Sequence, residues 1–287
     1  MLQKKRIMNA KNIGIVGLGL MGGSLALALK KAYKTIKIYG YDYNDKHTKE
    51  ALELNLIDVA IDDYKKLSSC DILFLATPVD VSIEILQNLS DLKKELTIID
   101  LGSTKALISD MTPCQIRENF VAAHPMTGTE KSGPSASLDN LYRDKTVVLC
   151  DIQKSGTHQQ EQAQKIFDAL GMKIVYMESK EHDRHAAYIS HMPHAISYAL
   201  ANAVMKQEDP KSIIALAGGG FRDMSRIAKS SPAMWSGIFT RNKEHILESI
   251  TSFKNELERC ETLIENEDWE ALQQWMQEAN RLHDILE

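Results

Sequence analysis

The chain has 287 residues, 44% of them apolar and 25% charged, with a formal net charge of −5. That length predicts two domains rather than one core, and the acidic balance excludes the basic stripe that tracks a nucleic-acid backbone. Cys70, Cys114, Cys150 and Cys260 stand far apart with no Cys-x-x-Cys pair, the usage of a reducing cytoplasm. The basic opening MLQKKRIMNA runs into glycine-broken sequence rather than a signal-peptide core. No window nears the roughly 18 uninterrupted apolar residues of a membrane span. A soluble, cytoplasmic protein is expected.

From residue 12 to about 178, short apolar runs alternate with helical patterns. Strands are predicted at Asn12–Val16, Thr35–Tyr41, Asp71–Ala76, Thr97–Asp100, Phe120–Ala123, Thr146–Cys150 and Lys173–Met177, with helices at Ser24–Lys31, Asp45–Leu54, Val81–Leu89 and His158–Leu170. Continuous apolar runs such as ILFLA fit strands buried on both faces. The alternation therefore predicts an α/β fold, a Rossmann-like doubly wound parallel sheet. After Ser179 apolar residues recur at helical spacing, as in Ile246, Ile250, Phe253, Leu257 and Ile264, then Trp269, Leu272, Trp275, Met276 and Ala279. The expected division is a nucleotide-binding domain over 1–179 and an all-helical domain over 180–287. These stripes carry more apolar surface than a short bundle buries, which predicts a homodimer through the second domain.

The run Gly17-Leu-Gly19-Leu20-Met21-Gly22 follows the first predicted strand and opens a helix. Its glycines allow a tight turn, close backbone approach to a pyrophosphate, and close helix–strand packing, while the helix N-terminus attracts negative charge. Asp42 closes the second strand, 20 residues after Gly22. A carboxylate there accepts from a ribose 2′-hydroxyl and repels a 2′-phosphate, so NAD is the expected cofactor; the alternative is that Asp42 only caps the next helix, a task Asp45 can perform. Thr77 and Pro78, just past the strand DILFLA, complete the expected cofactor-binding set.

Ser103 in DLGSTK and His124 in HPMTGTEKSG sit at predicted strand ends, the edge that faces the ligand crevice. A histidine there either takes a hydroxyl proton as hydride leaves the same carbon or is an ordinary strand-end residue. The loop carrying Glu130 favours a site. In SHMPHA, Pro193 should kink or open a long helix. His191 and His194 lack a third ligand, so no metal is expected, and His194 is either a polar pocket wall or a core histidine. In GGGFRDMSRIAKSSPAMW three glycines imply close backbone approach or a tight turn. Arg222 and Arg226 lie on one helical face, where they either clamp a carboxylate or form a solvated face with a local Asp223–Arg226 pair.

Taken together, these motifs resemble the prephenate dehydrogenase family, which includes arogenate and cyclohexadienyl dehydrogenases. The resemblance runs from about Ile13 to the C-terminal helices and rests chiefly on HPMTGTEKSG, SHMPHA and GGGFRDMSRIAKSSPAMW in that order. It implies that His124 is catalytic with Ser103 as its orienting partner. It also implies that Arg226 binds a substrate carboxylate, with Glu130, His194, Gly219, Asp223 and Trp235 around the pocket. Prephenate is the implied substrate, tyrosine a feedback ligand, and a dimer the implied assembly; at this length no fused mutase or regulatory domain is expected. SHMPHA offers no acidic partner for arogenate's ammonium, whereas an imidazole N–H at His194 would suit prephenate's keto group. A β-hydroxyacid dehydrogenase is the competing enzyme, but that class places a lysine on the first helix of the second domain. Here His182–Met205 has none before Lys206.

Overall fold

The structure, a computed structural model, describes residues 10–207 and 209–286. The basic N-terminal segment read above therefore lies, up to residue 9, outside the described residues. Eight strands form one sheet in the order β3-β2-β1-β4-β5-β6-β7-β8. They are β1 Asn12–Val16, β2 Lys37–Tyr41, β3 Val59–Ala60, β4 Ile72–Leu75, β5 Thr97–Asp100, β6 Phe120–Pro125, β7 Thr146–Cys150 and β8 Lys173–Met177. Helices α1 Leu20–Ala32, α2 Asp45–Glu53, α3 Val79–Gln87, α4 Ala106–Met111 and α5 Thr157–Ala169 are interspersed among them.

The seven predicted strands all form; the central ones, β1, β4, β5 and β6, are apolar runs sandwiched between helix layers, whereas β8 at the edge is largely exposed. Ile13, Ile15, Ile72, Phe74, Ile99 and Val121 face one apolar cluster, while Val16, Leu73, Leu75, Ile98 and Ala122 face the other. Burial on both faces makes this part of the chain self-sufficient. The sheet is not parallel throughout, however: β7 runs antiparallel to β6, pairing Ala122 with Cys150 and His124 with Val148, and β8 follows β7 in parallel. Each of the last two strands has the same apolar run either way round, so periodicity does not report its direction. The two-residue β3 and the six-residue α4 were not anticipated, being too short to show a period.

From Ser179 onward every regular element is helical: α6 Ser179–Ala186, α7 Met192–Met205, α8 Pro210–Ala215, α9 Gly219–Ser225, α10 Pro232–Arg241, α11 Lys243–Glu265, α12 Trp269–Asn280 and α13 His283–Leu286. Between α6 and α7 the backbone widens into a π-helical turn over Ala187–His191. Pro193 lies just beyond it and has no N–H to give the preceding turn; the wider turn is the expected local opening.

Candidate active site

The sheet order reverses between β1 and β4, so the crevice opens at the carboxyl ends of those strands. Gly17, at φ +89°, makes the turn out of β1, and a Cβ on it would lie 2.4 Å from the carbonyl oxygen of Ala76. A Cβ on Gly22 would collide with the Gly17 carbonyl at 1.9 Å, so the third glycine lets helix and turn pack together. At Gly19 a Cβ would meet nothing within 4 Å. Gly19 begins α1 without a side-chain cap, and the first turn carries no acidic residue. The first N–H groups of the helix, at Leu20, Met21 and Gly22, have no partner in the helix, and open space lies above Gly19. That cradle fits a pyrophosphate.

The side chain of Leu20 is itself buried in the core, and the Met21 carbonyl accepts from the Tyr142 hydroxyl at 2.8 Å. These two residues thus offer a cofactor backbone rather than side chains. Asp42 ends the second strand of the crevice, largely buried; its carboxylate accepts the Leu18 N–H at 2.8 Å and the Asn44 N–H at 2.9 Å. The cap of α2 is neither Asp42 nor Asp45 but Asn44, whose side chain accepts from the Lys46 N–H. Asp42 is therefore tied to the glycine turn and freed from the capping role. Thr77 and Pro78 stand across the switch point, with Thr77 Oγ1 2.8 Å from Ser82 Oγ and Pro78 immediately preceding α3.

His124 is the next-to-last residue of β6, where the loop after β5 and the start of the helical half converge. Its Nδ1 lies 2.8 Å from Nε2 of His182, and Nδ1 of His182 lies 2.8 Å from Oδ1 of Asp183. The same carboxylate accepts the backbone N–H groups of Lys105 at 2.8 Å and Ala106 at 2.9 Å, locking α6 onto the start of α4. Burial alone would raise the Asp183 pKa, but the hydrogen bonds from His182 and from those two N–H groups outweigh it and keep the carboxyl below its usual range. Beneath His124, the fully buried Lys105 pairs with Asp100 and donates to the Ala123 carbonyl at 3.0 Å. Burial, followed by the neighbouring His182, Lys105 and His191, drives the His124 pKa well below that of a free imidazole. A neutral ring at physiological pH is what a general base requires.

Sequence reasoning missed the His182–Asp183 pair. It expected Ser103 to orient His124, yet no hydrogen bond joins the two; Nδ1 is held by His182 instead. Ser103 remains on the loop between β5 and Lys105. The signal was present in EHDRH, but nothing in a linear string shows that α6 folds back onto β6.

The second cluster is built around Trp235. His194 stacks on its indole with centroids 3.4 Å apart, and His191 meets its edge at 6.0 Å. His194 Nδ1 lies 2.9 Å from the Ser190 carbonyl oxygen. A carbonyl only accepts, so the proton is on Nδ1; burial, more than the nearby Arg226 charge, also lowers the pKa of this ring and keeps it neutral. Its free Nε2 is consequently an acceptor, which corrects the expectation of an N–H facing a keto group. Glu130, Gly219, Asp223 and Arg226 are exposed in the single chain. No Asp223–Arg226 ion pair forms, and Arg226 falls in the 3₁₀ turn after α9. A Cβ on Gly218, Gly219 or Gly220 would touch nothing within 4 Å. Within one chain Gly218 caps α9 and Gly219 and Gly220 open it, all three exposed and with no backbone pressed against them.

Comparisons with known proteins decide the family. Residues 25–176 match the model of the prephenate dehydrogenase nucleotide-binding domain, and residues 178–278 match that of the prephenate dehydrogenase dimerization domain. The chain belongs to the prephenate dehydrogenase family. It is 35% identical over 278 residues to the prephenate dehydrogenase of Bacillus subtilis, spanning 95% of this chain and 75% of that one. The structure of the Aquifex aeolicus prephenate dehydrogenase in complex with hydroxyphenyl propionate and NAD+ superposes with a TM-score of 0.91 at 34% identity, covering 98% of this chain and 99% of the other. The Synechocystis arogenate dehydrogenase gives a TM-score of 0.80 at 30% identity, over 96% and 100% of the two chains.

As a member of this family the chain is an NAD-dependent oxidoreductase, and the open cradle above Gly19 suits that cofactor. The dimerization-domain match coincides with the apolar residues that the single chain leaves uncovered, among them Leu257, Ile264, Trp269 and Met276. Among the described residues no helix is long and apolar enough to cross a membrane. The β-hydroxyacid alternative is set aside by the family match. Its lysine argument needs one correction: α6 begins at Ser179 and does carry Lys180, but that side chain is exposed.

Proposed function

We propose that this enzyme converts prephenate to 4-hydroxyphenylpyruvate and CO2, with His124 as the base that receives the ring hydroxyl proton. The observation that supports this most directly is a His124 whose pKa lies well below that of a free imidazole and whose Nδ1 is held by His182, leaving Nε2 to act on substrate. NAD, when bound, supplies the hydride acceptor for the carbon that bears this hydroxyl. Proton removal by a positioned base contributes about 10²–10⁴-fold. Loss of the quaternary carboxylate as CO2 follows because it makes the ring aromatic. Gly17, Gly19, Leu20, Met21, Gly22, Asp42, Thr77 and Pro78 bind the cofactor in this reading. Ser103 lines the substrate face, and Arg226 pairs with a carboxylate, flanked by Glu130, His194, Gly219, Asp223 and Trp235. The domains divide at residue 179, the protein acts in the cytoplasm as a homodimer, and tyrosine, a mimic of the phenolic product, is a feedback ligand.

A second reading, arogenate as substrate, draws support from His194. Its Nε2 is an acceptor, and an acceptor suits an ammonium better than a keto oxygen. NADH formation measured with each acid separates the two. Faster turnover of prephenate supports the first reading and faster turnover of arogenate the second. No NADH from either acid overturns both.

A further inference from the structure

We infer that His182 is a positioning residue, through which the buried Asp183 carboxylate sets the tautomer of His124 and takes up its charge when a proton arrives. The inference rests on the reading of His124 as the base, and it follows from donor and acceptor bookkeeping along three groups. An ionised carboxylate only accepts, so His182 carries its proton on Nδ1 and donates to Asp183 over 2.8 Å. In a His182 ring that carries this one proton, Nε2 is a lone pair, and His124 donates to it from Nδ1 over 2.8 Å. That leaves the Nε2 of His124 unprotonated.

When a substrate O–H breaks, its proton forms a bond to His124 Nε2 and the ring becomes a cation. The Nδ1 proton of His124 passes to His182 Nε2, and the charge comes to rest beside Asp183, with no proton lost from the chain until product leaves. The other charged and titratable groups around His124 oppose this uptake or stay neutral. Lys105, from the start of α4, is a cation paired with Asp100 on β5. Burial drives His191, from the helical side, down to about 4, and pushes the Cys150 thiol on β7 up to about 12. Among the described residues, the carboxylate that reaches His124 through a continuous line of side-chain hydrogen bonds is that of Asp183, and it is anchored by the Lys105 and Ala106 N–H groups.

The test is His182→Gln. A glutamine carbonyl can still accept from His124 Nδ1–H, so the ring stays oriented, but it cannot hold the extra proton. We expect kcat to fall by about 10²-fold, given the roughly 10⁴-fold loss when an imidazole is deprived of its carboxylate partner in a hydrolase triad. The acid limb of kcat/KM should move to lower pH, because the cation of His124 has lost its stabilising charge. NAD affinity and melting temperature should stay unchanged, which separates this role from a structural one. Asp183→Asn should move the limb the same way. Should that variant fail to fold, imidazole ¹⁵N NMR of the unmodified enzyme tests the geometry directly. Protons on Nδ1 of both His124 and His182 are expected, and an Nε2–H on His124 would overturn the inference. A His182→Gln enzyme with full kcat and an unmoved pH limb would overturn it too. His124→Asn serves as the control: if it retains turnover, the base assignment itself falls, whereas an inactive His124→Asn beside an unaffected His182→Gln removes only the relay.

Discussion

The two halves of the chain solve the burial problem differently. In the sheet half, apolar residues cover both faces of the strands and are themselves covered by α1, α2, α3 and α5, so each cluster closes within the chain. The helical half closes almost nothing alone. Trp235, Ile246 and Leu272 are its large buried apolar residues, while Leu247, Leu257, Ile264, Trp269 and Met276 stand about half exposed or more. A helix stripe of that size is stable in water only against another surface. The contrast shows where each kind of chemistry can be found. Cofactor recognition is local to the sheet half, whereas Arg226, Asp223 and Glu130, which we propose to line the substrate pocket, lie exposed in the single chain.

The sharpest way to break this comparison is at His124, where the sheet half meets His182 of the helical half. His124→Asn should lower kcat by about 10²-fold or more while NAD binding, a property of the sheet half, is retained. Fluorescence titration with NADH and steady-state rates measure both; loss of NADH affinity would show that the halves are not separable in function.

A second test reads the same junction through pH. Burial pushes His191 down to about 4 from 6.5, while its Nδ1 rests 3.1 Å from Asn242 Nδ2 and its Nε2 has no partner. The unfolded chain takes up a proton below pH 6.5 that the folded chain refuses until about pH 4. Stability contributed by neutral His191 is therefore complete above 6.5 and is lost progressively as pH falls to about 4, in total about 3 kcal/mol. His191→Gln should reduce, without abolishing, the slope of urea midpoint against pH in that window, since His124 contributes with the same sign. An unchanged slope would rule His191 out as its source.

The third test addresses the uncovered stripe. Leu257→Glu and Ile264→Glu each remove an apolar side chain that is 57% and 49% exposed in the single chain. If a partner covers them, each substitution should weaken association by about 1.5–3 kcal/mol, roughly 10- to 100-fold. Light scattering should then show monomers at micromolar concentration, and the sheet half should keep its fold by circular dichroism. A dimer of unchanged affinity would place the interface elsewhere.

The smallest effect is expected at Asp42. Asp42→Asn keeps an acceptor for the Leu18 N–H but removes the charge that repels a 2′-phosphate. The NAD-over-NADP ratio of kcat/KM should narrow by about tenfold, worth about 1.4 kcal/mol. An unmoved ratio would assign cofactor choice to another residue.

Much of the molecule was legible in the linear chain because its signals are local. A run such as ILFLA declares a doubly buried strand, and Gly17 and Gly22 each meet a steric demand set within a few residues or by the adjacent strand. Asp42 falls at a strand end whatever the rest of the fold does. The opening at Pro193 needed only the missing N–H of proline. Tertiary structure decided the rest. The antiparallel turn of β7 depends on how the long connection after β6 returns, and an apolar run looks alike in both directions. The pairing of His124 with His182 joins residues 58 apart, brought together when Asp183 binds the Lys105 and Ala106 N–H groups across the domain junction. The acceptor face of His194 is set by a carbonyl one helical turn away, on Ser190. Proton positions depend on which partner each nitrogen meets, and partners from distant segments are chosen by packing, which no short window of sequence contains.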